Sequence, residues 1–79
     1  MSTDRFYNIG PGRIGIERGG QIFHAGWTTG GPPKHPWIIV DCVFAAERRE
    51  PLNGRDPEQY ARELFSEMID AHLGRMRTA

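Results

Sequence analysis

The chain has 79 residues, which is one domain with a thin core, because a chain of this size buries only about 60–65% of its unfolded surface. Ten Lys and Arg balance ten Asp and Glu, which argues against a general nucleic-acid binder and against an acidic mimic of DNA. A single cysteine, Cys42, excludes an intrachain disulfide, so self-association is the remaining common source of stability.

The first predicted element is a β-hairpin at residues 13–27. Gly19-Gly20 separates two alternating runs of apolar and polar residues, a pattern typical of a two-residue primed turn. A short run at residues 6–9 precedes the hairpin, and the glycine and proline residues at 10–12 limit that run to an edge strand at most.

The glycine turn fixes a register for the hairpin. Ile16 then lies opposite Phe23, and Ile14 lies opposite Ala25, so these pairs share an apolar face that we expect to form core. The remaining side chains are assigned to the other face: Gly15, Glu17, Arg18, Gln21 and His24.

Residues 28–36 are predicted as a loop, because three prolines and two glycines in nine residues prevent regular structure. Residues 37–47 are predicted as one long strand. Its even positions are all apolar and are assigned to the core: Ile38, Val40, Cys42, Phe44 and Ala46. Its odd positions are also apolar except Asp41, which is more hydrophobic than a solvated face should be.

A linker at residues 48–55, with a turn at Asn53-Gly54, leads to a helix predicted over residues 57–73. Asp56 is the expected N-cap, Pro57 occupies the first helical position and Gln59 completes a capping box. Gly74 is the expected residue just beyond the C-terminus. The apolar stripe recurs at helical spacing: Tyr60, Ala61, Leu64, Phe65, Met68, Ile69 and Leu73.

Together these elements predict a single α+β domain over residues 1–79. In it, one C-terminal amphipathic helix packs on one face of an antiparallel sheet of three to four strands. The N-terminal residues lack the apolar segment of a signal peptide, and the longest apolar run, residues 37–40, is too short to cross a bilayer. We therefore expect a cytoplasmic protein.

The sequence predicts no catalytic residues, no metal site and no cofactor. Cys42 with His24 is the only conceivable nucleophile–base pair, and a cysteine in the middle of an apolar strand face is expected to be buried and inert. His24, His35 and His72 share no ligand spacing with one another or with the cysteine. We expect a protein that is not an enzyme.

One sequence pattern points beyond a purely structural role: tryptophans lie beside basic residues. Trp27 and Trp37 flank the loop that holds Lys34 and His35, and Arg48 and Arg49 follow the strand. Tryptophan and arginine are enriched at the energetic centres of protein interfaces, so these six residues are predicted to bind a partner protein. The alternative is that both tryptophans cap the thin core.

The odd face of the strand at residues 37–47 predicts a homodimer. One helix can cover one side of the sheet, which leaves an apolar set open on the other: Trp37, Ile39, Asp41 and Val43. A lone carboxylate in such an interface is costly, so two-fold symmetry is expected to place Asp41 near the partner subunit's Arg13 or the partner subunit's Arg18.

In size and layout, the hairpin at 14–27, the strand at 37–46 and the helix at 56–73 together resemble anti-CRISPR proteins of type I systems. These are encoded by phages and mobile elements, and some are dimeric sheet-plus-helix domains. The resemblance implies direct binding to the Cascade surveillance complex in the host bacterial cell, and blockage of target DNA engagement. The neutral charge favours steric blocking over DNA mimicry.

Three other functions remain open from the sequence. A nucleic-acid-binding or regulatory module would use arginines as phosphate contacts: Arg13, Arg18, Arg48, Arg49 and Arg55. A small enzyme or enzyme subunit would use Cys42. A structural component of a phage particle is the third.

Overall fold

The structure, a computed structural model, describes residues 5–77. It contains five strands and one helix: β1 (Arg5–Gly10), β2 (Arg13–Arg18), β3 (Gln21–Gly30), β4 (Trp37–Cys42), β5 (Ala45–Pro51) and α1 (Pro57–Arg77). The strands pair antiparallel in chain order, so the sheet is a meander with α1 packed on one face. The predicted α+β class is confirmed, whereas the predicted three to four strands fall short of the five that form.

The hairpin of β2 and β3 has the predicted register. Ile16 pairs with Phe23 and Ile14 pairs with Ala25, and all four side chains are buried beneath α1. The turn works because Gly19 and Gly20 both adopt positive φ, at +61° and +80°, which residues with a Cβ rarely do.

Regular strand structure before and after the hairpin extends further than the glycines and prolines in these segments indicate. The run at residues 6–9 belongs to a complete edge strand, in which Phe6 pairs with Ile16. β3 continues to Gly30, because Thr28 and Thr29 pair with Ile39 and Ile38 of β4. The predicted loop at 28–36 is therefore shortened to residues 31–36.

The prediction of one strand at residues 37–47 is wrong. A turn at Val43 and Phe44 divides it, and the chain returns as β5 alongside β4, with Val40 paired to Arg48. Within this turn the Phe44 ring lies 5.7 Å from the Phe23 ring and 5.9 Å from the Phe65 ring, so it packs on the helix side of the sheet although β4 has ended. As a result, Ala46 is exposed, and Cys42 is half-buried rather than core.

The core lies between α1 and the sheet. Its buried side chains come from the middle strands, from the segment after β5 and from the helix: Ile14, Ile16, Phe23, Ala25, Ile38, Val40, Leu52, Ala61, Leu64, Phe65, Met68 and Ile69. The helix begins as predicted, since the Gln59 amide donates to the Asp56 carboxylate at 2.9 Å. It continues through Gly74 to Arg77 instead of ending at Leu73. A glycine costs a helix only about 1 kcal/mol, too little to end one that the core already holds in place.

Arg18 ties the end of β2 to the helix. Its guanidinium donates to the Ser66 carbonyl oxygen at 3.3 Å and to the Ser66 hydroxyl at 2.5 Å, and it forms an ion pair with Asp70. The assignment of Arg18 to the face away from the core is therefore wrong. Side chains alternate along a strand, and Arg18 shares the parity of Ile14 and Ile16.

The cap at Asp56 gives a first stability prediction. Asp56→Ala removes the acceptor for the Gln59 amide and should lower the free energy of unfolding by about 0.5–2 kcal/mol, measured by urea denaturation. The control is Glu63→Ala, which removes an exposed carboxylate with only a 4.0 Å contact to Arg55 and should leave the midpoint unchanged. Equal midpoints for wild type and Asp56→Ala would contradict the cap.

The contacts of Arg18 give a second stability prediction. Arg18→Met keeps the aliphatic stem but loses the hydrogen bonds to Ser66, and should cost about 1–3 kcal/mol of stability in the same measurement. Asp70→Asn should cost far less, because the Asp70 side chain is 70% exposed and water screens its ion pair. Because Arg18→Met removes both sets of contacts, equal losses from the two variants would show that the ion pair with Asp70, and not the hydrogen bonds to Ser66, holds the helix.

Candidate functional site

The helix covers one face of the sheet, and the opposite face, here called the open face, is uncovered by any element among residues 5–77. Strand register assigns the side chains that line it: Arg5, Tyr7, Arg13, Glu17, Ile22, His24, Thr28, Trp37, Ile39, Asp41 and Arg49. Three large hydrophobic side chains on this face are well exposed, Ile22 at 52%, Trp37 at 40% and Tyr7 at 38%. A surface of this kind suits binding to another macromolecule.

The loop at residues 31–36 is exposed but ordered by its own contacts. The His35 amide donates to the Pro32 carbonyl at 2.9 Å, which closes a tight turn around Pro33 and Lys34. The Leu52 amide donates to the Pro36 carbonyl at 3.0 Å and anchors the loop to the segment after β5. The prolines and these hydrogen bonds fix the backbone of the turn, from which Lys34 and His35 are exposed to solvent.

Trp37 links this loop to the open face. Its indole lies so close to Gly31 that a Cβ there would sit 2.9 Å from Trp37 Cδ1, and Gly31 has a φ of +89°. The Arg49 guanidinium stacks 5.5 Å from the indole centroid and also contacts Glu47 at 3.0 Å. We call the loop at 31–36 together with Trp37 and Arg49 the tryptophan end.

The six residues predicted to bind a partner do not form one surface. Lys34, His35, Trp37 and Arg49 come together at the tryptophan end. Trp27 lies on the helix side, half-buried against the core, so the two tryptophans flank the loop in sequence but not in space. The alternative interpretation of a core-capping role therefore holds for this tryptophan alone.

Arg48 also lies on the helix side. Its guanidinium contacts Glu50 at 3.2 Å and Glu67 at 3.1 Å, across the gap between β5 and α1. Partial burial alone would lower the pKa of Arg48, but hydrogen bonds to the two carboxylates outweigh it and raise that pKa above its usual value. Arg48 thus joins an edge strand to the helix and is already engaged within the chain.

The residues predicted to form a dimer interface are mostly on the open face. Trp37, Ile39 and Asp41 point there, whereas Val43 is fully exposed in the turn between β4 and β5. Arg13 lies in the same row as Asp41, two strands away, at the rim of a shallow depression of about 320 Å³. Arg18, the other arginine predicted to meet Asp41, faces the helix instead.

Catalytic and metal-binding arrangements receive no support from these positions. Cys42 is half-buried against the core and His24 is exposed on the open face; both residues border the depression beside Arg13 and Asp41, and no hydrogen bond joins their side chains among the described contacts. The His72 ring is 4.5 Å from the Phe44 ring and caps the core. Within residues 5–77, no three His, Cys, Asp or Glu side chains are grouped to hold a metal ion, and no helix is apolar over enough residues to cross a membrane.

Sequence reasoning missed two features of the open face. The stacking of Arg49 on Trp37 depends on the register of β4 against β5, which the prediction of a single strand hid. The position of the Asp41 carboxylate over Gly26 was missed as well; a glycine inside a strand was the signal, because it marks a site that something else approaches closely.

Comparison with known proteins found no matching family model, no matching curated protein and no matching solved structure. Function is therefore inferred from the chemistry of the described surface.

The packing of Trp37 on Gly31 can be tested directly. Gly31→Ala places a methyl group against the indole and forces alanine into a left-handed conformation, which should cost about 1–2 kcal/mol of stability and shift the tryptophan emission. Gly30→Ala is the matched control, since its Cβ would meet only Ile39 Cδ1, at 3.9 Å. Similar urea midpoints and spectra for the two variants would contradict the close contact.

Proposed function

We propose that this protein is a non-catalytic inhibitor that binds another protein through the tryptophan end. Following the resemblance in format, the proposed partner is the Cascade complex of a type I CRISPR system, and the proposed consequence is that Cascade no longer engages target DNA. The observation that carries the proposal is an ordered, exposed loop that lies directly beside a partly exposed Trp–Arg stack.

Preorganisation supports binding at this place. Ordering a flexible loop on binding costs free energy. This loop is already ordered in the free chain by its tight turn, its prolines and the hydrogen bond from Leu52 to Pro36, so binding does not have to order it. Trp37 offers a large apolar surface with few rotatable bonds, and the Arg49 guanidinium lies over one side of its ring. A protein partner with an apolar pocket matches this geometry.

Charge narrows the chemistry of the partner surface. Lys34 and Arg49 give the tryptophan end a cationic rim, although Glu47 partly neutralises Arg49. The complementary surface is an apolar pocket edged by carboxylates. The net charge of the whole chain is zero, which supports steric blocking rather than mimicry of DNA as the mode.

The arginine positions weigh against nucleic acid as the partner. Arg18 and Arg48 bind groups on the helix, and Arg55 stacks 4.5 Å from the Tyr60 ring centroid. The open face carries Arg5, Arg13 and Arg49, on the separate strands β1, β2 and β5. These arginines therefore do not form a continuous basic stripe that could follow a phosphate backbone.

The test measures binding of the full chain to purified type I Cascade complexes by biolayer interferometry, and target DNA binding by gel shift. Trp37→Ala should weaken binding about tenfold or more, as truncation of an interface tryptophan commonly does. Lys34→Glu should also weaken binding to Cascade, because it reverses a charge at the rim of the tryptophan end. The control is Phe6→Ala, which shortens another exposed apolar side chain, on the edge strand β1 and outside the open face.

Three outcomes would count against the proposal. Absence of binding to every type I Cascade tested would remove Cascade as the partner. Unchanged affinity for Trp37→Ala and Lys34→Glu, in a complex that does form, would place the binding surface elsewhere. Salt-dependent binding of the chain to DNA alone would favour the nucleic-acid alternative.

A further inference from the structure

A row of charges crosses the middle of the open face, away from the tryptophan end. Arg13 on β2 pairs with Gly26 on β3, and Gly26 pairs with Asp41 on β4. The Cα atoms of these two oppositely charged residues therefore lie on either side of β3 at about the same distance, roughly one strand spacing of 4.8 Å. Within residues 5–77, neither of them forms an ion pair.

Gly26 makes room for the carboxylate in this row. A Cβ on Gly26 would lie 2.9 Å from Asp41 Oδ1, so the carboxylate leans over the central strand into space that any other residue would fill. The side chain thus points its charge towards the middle of the face, where an approaching cation could reach it.

We propose that this face binds a second copy of the chain, with the two-fold axis parallel to β3. Rotation about such an axis exchanges the β2 and β4 sides of the sheet and preserves height along the strand. Arg13 of each copy then faces the partner subunit's Asp41, and the two contacts close a ring of alternating charges. Face-to-face sheets pack about 10 Å apart, a gap that one extended arginine and one aspartate span.

Self-complementarity is what favours a second copy over a foreign protein. An arrangement in which opposite charges are equally spaced about a central strand satisfies itself under two-fold symmetry, and an isologous dimer requires this. Ile22, on the same central strand, is 52% exposed and would pack near its symmetry mate. The neutral chain adds no long-range repulsion between copies.

The tryptophan end stays outside this contact. β2 begins at Arg13, in the row of Asp41, so no β2 residue of the second copy lies over Ile39 or Trp37. The dimer therefore leaves both tryptophan ends accessible and, because the axis runs along the strands, both point in the same direction. This inference does not depend on the identity of the partner proposed above.

The experiment is sedimentation velocity on the full chain at micromolar concentration. Wild type should sediment at twice the chain mass of 9.0 kDa. Arg13→Asp and Asp41→Arg should each sediment as a monomer, because each variant places like charges opposite one another. Glu63→Arg is the control: it changes the net charge as Asp41→Arg does, but on the exposed side of α1, and should remain dimeric.

Mixing the two monomeric variants separates a specific contact from damage to the fold. In a mixed dimer both cross-subunit pairs again have opposite charges, so an equimolar mixture of Arg13→Asp and Asp41→Arg should recover the dimer mass. A monomeric wild type would overturn the proposal. So would single variants that stay dimeric, or a mixture that stays monomeric while circular dichroism shows both variants folded.

Discussion

One helix packed on a five-stranded sheet is the constraint on which the rest of this structure depends. A helix with its side chains is about 10 Å wide, whereas five strands span roughly 19 Å, so α1 can seal the middle of one face and nothing of the other. Every strand is therefore divided by parity into a side that builds the core and a side that meets solvent or a partner. Phe65, Leu64 and Ile69 sit at the centre of the sealed side.

The same division separates structural charges from available ones. On the helix side, Arg18 and Arg48 bind groups of α1 and hold it against opposite parts of the sheet. On the open face, Arg13 and Asp41 find no such partner within the described residues, and Arg49 is held only by Trp37 and Glu47. Residue type alone does not distinguish these arginines; the strand face on which each one lies does.

The parts of the fold that could be predicted were those fixed by local chemistry. Gly19-Gly20 sets the hairpin register through positive φ, and Asp56 starts the helix through a single side-chain hydrogen bond. The turn at Val43 and Phe44 could not be predicted in this way, because neither residue favours turns and the apolar run continues through them. What the division achieves is the pairing of β5 along β4, which depends on contacts across the sheet rather than on the residues of the turn. The candidate site was then only half predictable: Trp37 and Arg49 were named, but their stacking, and the separation of Trp27 from them, depend on that turn.

The composition of β5 has a consequence for how this chain behaves when crowded. An edge strand offers unpaired amide and carbonyl groups to any passing chain, which is how ordered aggregates begin. β5 carries consecutive charges at Glu47, Arg48, Arg49 and Glu50, and it ends in Pro51, which has no amide proton to donate. A growing fibril would have to desolvate those charges and accept a missing hydrogen bond. Sheet extension from this edge is thereby discouraged, and association is directed towards the face of the sheet rather than its margin.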